Sequence, residues 1–315
     1  MGFKLAGYEH FGGVEIDPKI ADIYRRNHHP KYLFVEDMRD FNKRDDLPEE
    51  LYHLDVLSGS PPCSAFSKAG ERESAWGKEK RFDEGQKLQR LDDLVFVYCD
   101  TIAKLKPKCY ILENVVGLIE GNAKSYARRI MEKLVSIGYT CQVFRLNAAR
   151  MGVPQVRERV FFIGHKAEYE LPKLALQFDE PPIPFGDIME RDNTTEDLSA
   201  YQRGLWERRT PRDNDFGDII KRLYGRHSMF NNQIIRQNRV LLSLHSGSPA
   251  NALYDIPRRL SEKELLLAST FPLDYSYPSI NKLYHLTGMS VPPAMMANIS
   301  YEIYEQWLEP LKFKQ

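Results

Sequence analysis

Short β-rich apolar runs alternate with helix-period segments over the first half of the chain. His10–Ile16 reads as a strand, and Pro18–Asn27 as a helix with proline in its first turn. Leu54–Ser58 is another strand, running into a Pro-rich turn. Leu88, Leu91, Leu94, Val95, Tyr98, Ile102 and Leu105 recur at helical spacing, which predicts an amphipathic helix over 88–105. Cys109–Leu112 predicts a strand and Ala123–Ser136 a helix, with further strands at Gln142–Leu146 and Val160–Ile163. Strands separated by crossover helices predict an α/β protein with a mostly parallel sheet covered on both faces.

That rhythm disappears between about 171 and 255. Pro172, Pro181, Pro182 and Pro184 open the stretch. They disfavour helix interiors and central strands, so a linker into a smaller, loop-rich unit is expected. Helical patterning returns after 260. Ser261 with Glu264 three residues on matches a capping box for a helix to Ala268, and a last helix is expected from about Pro292 to Leu308. The domain reading is therefore 1–170 completed by 256–315, with 171–255 as a separate domain.

Charge sharpens this picture. Lys+Arg and Asp+Glu number 44 each, which excludes nucleic-acid binding by bulk charge but not by a local basic face. Residues 201–240 hold nine Lys+Arg against four Asp+Glu, so positive charge is concentrated there. No run of eighteen apolar residues occurs and no secretion leader is read, so no membrane span is expected. Cys63, Cys99, Cys109 and Cys141 form no Cys-x-x-Cys pair, which disfavours a disulfide framework or a metal knuckle and points to a reducing cytoplasm.

Three segments carry candidate chemistry. In Ser58-Gly-Ser-Pro-Pro-Cys63-Ser-Ala-Phe-Ser67, a strand ends and two prolines stiffen a turn that presents a thiol. The carboxyl edge of the sheet, where this turn falls, is where open α/β folds bind ligands. Glu113 closes the apolar run Ile111-Leu-Glu113-Asn114-Val115, and parallel strands would bring its carboxylate beside Cys63. Alternation through Gln155, Arg157 and Arg159 would send all three to one face of their segment.

Taken in order, these segments resemble the cytosine-C5 DNA methyltransferase family. The matches are Pro62-Cys63 with Phe66-Ser67, Glu113-Asn114-Val115, and Gln155-x-Arg157-x-Arg159. Val14-Glu15-Ile16-Asp17, Arg259 through Phe271-Pro272, and Gly288-Met-Ser290-Val291-Pro292-Pro293 resemble further family blocks. The likeness covers about 230 residues, all but the region 171–255. It implies a doubly wound, Rossmann-like α/β catalytic domain with a second, smaller target-recognition domain.

The resemblance also implies roles. Cys63 would attack cytosine C6 as a thiolate, Glu113 would engage N3, and Arg159 would sit on O2 with Arg157 supporting the same pocket. Methyl transfer to C5 would come from S-adenosylmethionine, on a base flipped out of duplex DNA. Glu15 would take the ribose hydroxyls and Asp37 the adenine amino group, although Asp37 reads equally as a helix N-cap. Pro62, Ser290 and Val291 complete the cofactor set. Ser67 and Gln155 would face DNA, as would arginines of the variable segment. Arg226, Arg236 and Arg239 are placed in the site, with Arg203, Arg208 and Arg209 as further candidates. The polar stretch 68–86 would close as a lid over the flipped base. The setting implied is the modification half of a bacterial or phage restriction-modification system, acting as a monomer.

Two departures accompany the resemblance. The family opens with a strand and a Phe-x-Gly-x-Gly-type loop, whereas this sequence begins at what resembles the following helix. Two neighbouring strands would then lack ladder partners. A start assigned too late, a second polypeptide supplying the strand and a decayed paralogue are all open explanations. Met289 also stands where the family carries Asn. A DNA-binding remnant and a tRNA cytosine methyltransferase are the rival readings.

Overall fold

The computed structural model describes residues 1–61, 93–228, 232–246 and 251–313. Its first elements are α1 (Gly2–Leu5), β1 (Gly12–Val14), α2 (Pro18–His28), β2 (Tyr32–Phe34), α3 (Met38–Phe41) and β3 (Val56–Gly59). There follow α4 (Leu94–Leu105), β4 (Cys109–Val115), α5 (Lys124–Ser136), β5 (Gln142–Asn147), β6 (Gln155–Val156) and β7 (Glu158–His165). The remainder holds α6 (Ala200–Glu207), α7 (Phe216–Tyr224), β8 (Gln233–Ile235), β9 (Leu241–Leu242), β10 (Asn251–Leu253), α8 (Glu262–Ala268), α9 (Ile280–Met289) and α10 (Pro293–Ile303).

These elements sort into two compact units, one of 8–147, 158–177 and 299–315, the other of 1–7, 148–157 and 178–298. In the first, β3, β4, β7 and β5 form a sheet in that order. β3 and β4 are parallel and β7 runs antiparallel to both β4 and β5, so β3, β4 and β5 share one direction and β7 is the one reversed strand of an otherwise parallel sheet. Parallel pairing needs a crossover of a dozen or more residues, and the ten residues between β5 and β7 contain no crossover helix.

β4 is buried on both faces, as its unbroken apolar run requires. Val95, Tyr98 and Ile102 of α4 and Tyr126, Ile130 and Leu134 of α5 pack on Tyr110, Leu112, Val160 and Phe162. On the other side the Trp307 ring stands edge-on to His165, 4.7 Å between centroids. The predicted last helix keeps its place but changes winding, α10 passing into a π turn over Tyr304–Leu308.

β1 and β2 form a separate parallel pair in the same unit. Val14, Phe34 and Leu57 pack on one cluster of Phe41, Leu47, Leu51 and Leu105, so strands of both sheets share a core. Among the described residues, β1 and β3 each pair along one edge only.

The second unit is less loop-rich than its prolines suggest. Ser199 and Gln202 close a capping box on α6, Asp215 caps α7, and Leu205, Phe216, Ile219, Ile220, Ile234 and Ala252 make a small core. The unit also extends beyond the expected boundary at 255, keeping 256–298 and leaving only 299–315 with the four-stranded sheet. A buried ion pair explains the shift. Arg258 reaches Glu264 with Nη1 at 2.7 Å and Nη2 at 2.8 Å, while its other donors take the carbonyls of Asn193 and Glu190. Glu264 is thus the capping glutamate the sequence predicts and also a tertiary anchor.

Arg258→Ala would leave the fully buried Glu264 carboxylate without its countercharge. A loss of about 3–5 kcal/mol is expected from breaking such a pair. Urea unfolding monitored within residues 178–298 measures it, and a loss below about 1 kcal/mol would show that water reaches Glu264.

Candidate active site

The centre of the site follows from strand register. In the antiparallel β4–β7 pair, Glu113 faces Phe161 and Val115 faces Arg159. Glu113 and Arg159 are therefore diagonal neighbours on one face, within reach of long side chains. Arg159 Nε stands 3.0 Å from Glu113 Oε1, and both side chains are largely buried. Arg159 Nη1 donates to the Glu158 carbonyl at 2.8 Å, which fixes the guanidinium plane.

The next residue ties this pair to the thiol segment. Asn114 Nδ2 donates to the Pro61 carbonyl at 3.1 Å, while its Oδ1 accepts from Val115 N at 2.9 Å. The carboxyl end of β4 is thereby bonded to the chain two residues before Cys63. Asn114 lies in a motif the sequence singles out, but its role emerges only from this contact. Tyr98 reinforces the arrangement, its hydroxyl lying 2.9 Å from the Leu57 carbonyl and 3.0 Å from that of Ile111. The Tyr98 ring crosses β3 so closely that a Cβ on Gly59 would fall 2.3 Å from it, which restricts that strand end to glycine. Pro62, Cys63, Ser67 and the stretch 68–86 lie outside the described residues.

The predicted alternation through 155–159 is not realised as one face. Gln155 and Val156 form β6 and pair in parallel with Leu241 and Leu242, so the segment divides between two partners. Gln155 is wholly buried, with Nε2 donating to the Ala268 carbonyl and Oε1 accepting from Leu244 N, both at 3.2 Å. Its assignment to DNA contact is corrected, since both ends of the amide are engaged inside the protein. Arg157 is wholly buried too, with Nη2 2.7 Å from the Gly288 carbonyl and Nη1 3.3 Å from Ser243 Oγ. Those contacts tie Arg157 to the end of α9 and to the chain that follows the basic segment.

Glu15 follows β1 and Asp37 follows β2, so two carboxylates stand just beyond the carboxyl ends of parallel neighbours. Glu15 Oε1 accepts from Asp17 N at 2.8 Å. Asp37 is the N-cap of α3, accepting from Arg39 N at 2.8 Å, and its Oδ2 lies 3.1 Å from the Arg39 guanidinium. Acidic acceptors held at this edge suit ribose hydroxyls and an exocyclic amine, so they fit a nucleoside-bearing methyl donor. Ser290 and Val291 form the half-buried turn between α9 and α10, with Ser290 N bonded to the Leu286 carbonyl. Met289 beside them is exposed.

The candidate DNA-facing arginines separate by environment. Arg226 and Arg239 are exposed. Arg236 instead donates to the carbonyls of Pro211 and Asp213 and lies 4.8 Å over the Tyr254 ring. Arg209 is sandwiched between Trp206 at 3.4 Å and Tyr254 at 4.7 Å. The nearby sequence shows Trp206 and Arg209 three residues apart, but not Tyr254 closing the stack.

Solved structures share this fold. A DNA modification methyltransferase of an E. coli prophage superposes with a TM-score of 0.67 at 18% identity, covering 97% of this chain and 94% of that one. S. pombe Dnmt2 gives 0.63 at 15% identity over 99% and 95%. The fold is therefore that of the Rossmann-like methyltransferases. The chain belongs to the C-5 cytosine-specific DNA methylase family, whose profile matches residues 1–305. Type II methyltransferase M.NgoPII of Neisseria gonorrhoeae is 25% identical over 330 residues, covering 96% of this chain and 90% of the relative. M.Bsp6I of a Bacillus species is 28% identical over 320 residues, covering 98% and 95%. By its family membership the chain is a DNA (cytosine-5-)-methyltransferase, a class that acts on DNA with a methyl donor. Among the described residues no helix is long and apolar enough to cross a membrane.

The described cysteines are poor nucleophiles. Burial pushes the Cys99 thiol up to about 12, raises Cys109 still further, and raises Cys141 as well. A raised thiol pKa leaves little thiolate at pH 8. Iodoacetamide at that pH is expected to spare these three in the native chain and to modify them in urea, as peptide mass mapping would show. Native labelling of Cys99 would contradict its burial.

Proposed function

We propose that this chain transfers a methyl group from S-adenosylmethionine to C5 of a cytosine flipped out of duplex DNA, through a covalent bond between Cys63 and C6. The observation that carries the reading is the buried Glu113–Arg159 pair on a strand whose next residue, Asn114, is bonded to Pro61, two residues before Cys63.

The chemistry accounts for these residue types. Cytosine C5 is a weak nucleophile until the ring's aromaticity is broken. The Cys63 thiolate adds to C6, and electron density moves onto the ring. Glu113, as the carboxylic acid, donates its proton toward N3 and neutralises the charge that develops there, while Arg159 holds the Glu113 carboxyl and donates to O2. S-adenosylmethionine, when bound, supplies the methyl group that C5 then accepts. A base takes the C5 proton, the C5–H electron pair restores the C5=C6 bond, and the C6–S pair leaves with sulfur as the Cys63 thiolate. A base within a duplex is closed to side chains, so flipping precedes attack.

Glu15, Asp37, Pro62, Ser290 and Val291 are the cofactor-binding residues in this proposal. Arg226 and Arg239, being exposed on the basic segment, contact DNA. Among the described residues β1 and β3 each pair on one side only, and this supports one further element, an added extended strand that completes the sheet.

The test supplies S-adenosylmethionine tritiated on its methyl group together with duplex DNA or tRNA. Label appearing as 5-methylcytosine in DNA is the outcome expected; label in tRNA alone would overturn the reading. Cofactor titration of this chain, and of one lengthened by the codons upstream of Met1, examines the added strand. Equal affinities would remove the need for it, whereas binding by neither would favour the remnant reading.

A further inference from the structure

In the unit that holds the basic segment, three contacts draw the chain leaving that segment, residues 241–246, against the end of α9. β6 pairs with β9 in parallel, Gln155 opposite Leu241 and Val156 opposite Leu242. Gln155 then holds Leu244 N with its Oε1 and the Ala268 carbonyl with its Nε2. Arg157 spans the remaining gap, from Ser243 Oγ at 3.3 Å to the Gly288 carbonyl at 2.7 Å.

Gly288 leaves no slack in this arrangement. A Cβ there would lie 2.4 Å from Ser246 N and 2.5 Å from the His245 carbonyl carbon, so the two backbones are in direct contact. The Gly288 carbonyl is in the last turn of α9, where unsatisfied carbonyls concentrate negative partial charge and a guanidinium is well placed. Two residues later comes the Ser290–Val291 turn. Arg157 thus joins the end of α9, through a buried bond to the Gly288 carbonyl, to residues 243–246, through a half-buried bond to the Ser243 hydroxyl.

We propose that Arg157 is a positioning residue that couples the Ser290–Val291 turn to the exit of the recognition segment, so that filling the cofactor site orders residues 241–246 for DNA. The proposal rests on the function reading above, in which that turn meets the cofactor. Ser243 is the partner that makes the coupling specific, because its hydroxyl is the acceptor on the recognition side. Met289, exposed beside this contact, takes no part in the clasp.

Hydrogen exchange of the amides in 241–246, with and without saturating S-adenosylhomocysteine, tests this without need of the DNA sequence recognised. Couplings of this kind are typically about 5–150-fold. In the wild-type chain the ligand is expected to slow exchange there by about tenfold, within that range. Ser243→Ala leaves Arg157 on the Gly288 carbonyl but severs the other arm. Its ligand-induced slowing is expected to fall below about threefold while its affinity for S-adenosylhomocysteine stays near wild type. Arg157→Lys, with one ammonium in place of a forked guanidinium, is expected to behave likewise. Comparing each variant with and without ligand removes any general loosening of its fold.

Wild-type slowing retained in both variants would overturn the coupling, as would a wild-type chain that binds ligand without protecting 241–246. A wild-type chain that binds no S-adenosylhomocysteine would instead overturn the function reading, and the proposal with it.

Discussion

Turnover of the Cys63→Ser chain on duplex DNA is expected to fall by about 10⁴-fold or more, since losing the nucleophile removes the step that activates C5. Serine is a far weaker nucleophile at neutral pH and the site offers it no new activation. Affinities for DNA and for S-adenosylmethionine should stay within about threefold, because one atom is exchanged and no described contact depends on it. A duplex carrying 5-fluorocytosine separates attack from transfer. Fluorine cannot leave C5 as the proton does, so the wild-type chain should remain bonded to the DNA on a denaturing gel. The serine variant should not. Intact turnover in Cys63→Ser would end the covalent mechanism, whatever the family.

Glu113→Gln is expected to lower the rate of methyl transfer by about 10²–10⁴-fold, the usual scale for removing a positioned acid–base group. The substitution is nearly isosteric, and the glutamine carbonyl can still accept from Arg159 Nε, which lies 3.0 Å from the carboxylate in the native pair. The fold should therefore survive, with thermal unfolding shifted by a few degrees at most. Cofactor affinity should be unchanged because Glu15 and Asp37 are untouched. Single-turnover transfer of a tritiated methyl group reads the chemical step directly. A loss confined to stability, with wild-type transfer in the folded fraction, would reduce Glu113 to a structural partner of Arg159.

The two effects differ in what they ask of the protein. Cys63 needs a rigid approach from β3, and Gly59, Tyr98 and the Asn114–Pro61 bond provide it. Glu113 needs a guanidinium beside it, and the β4–β7 register provides that. The antiparallel insertion of β7 is thus part of the site as well as of the sheet, because it carries Arg159 alongside Glu113.

Much of this was legible along the chain. The periods near 3.6 located α2, α4 and α5, and the apolar run before Glu113 located β4, because burial on both faces forces a continuous run of that kind. Ser261 and Glu264 marked the start of α8, since a capping box satisfies backbone donors locally. The residues proposed for the reacting centre came from the family resemblance of their motifs, whose order is written in one dimension.

What lay beyond the linear pattern has a common cause. Gln155, Arg157 and Arg159 form one alternating string, yet their partners are Leu244 and Ala268, Ser243 and Gly288, and Glu113. Alternation assigns faces only while a strand runs unbroken, and here the chain changes ladder between Val156 and Glu158. Arg258 likewise looks like one basic residue among many until Glu264, Glu190 and Asn193 surround it. Local propensity and motif order reside in the sequence because they depend on near neighbours. Which charges are buried, and whether an arginine holds a reacting carboxylate or a helix end, depends on residues brought together from distant parts of the chain.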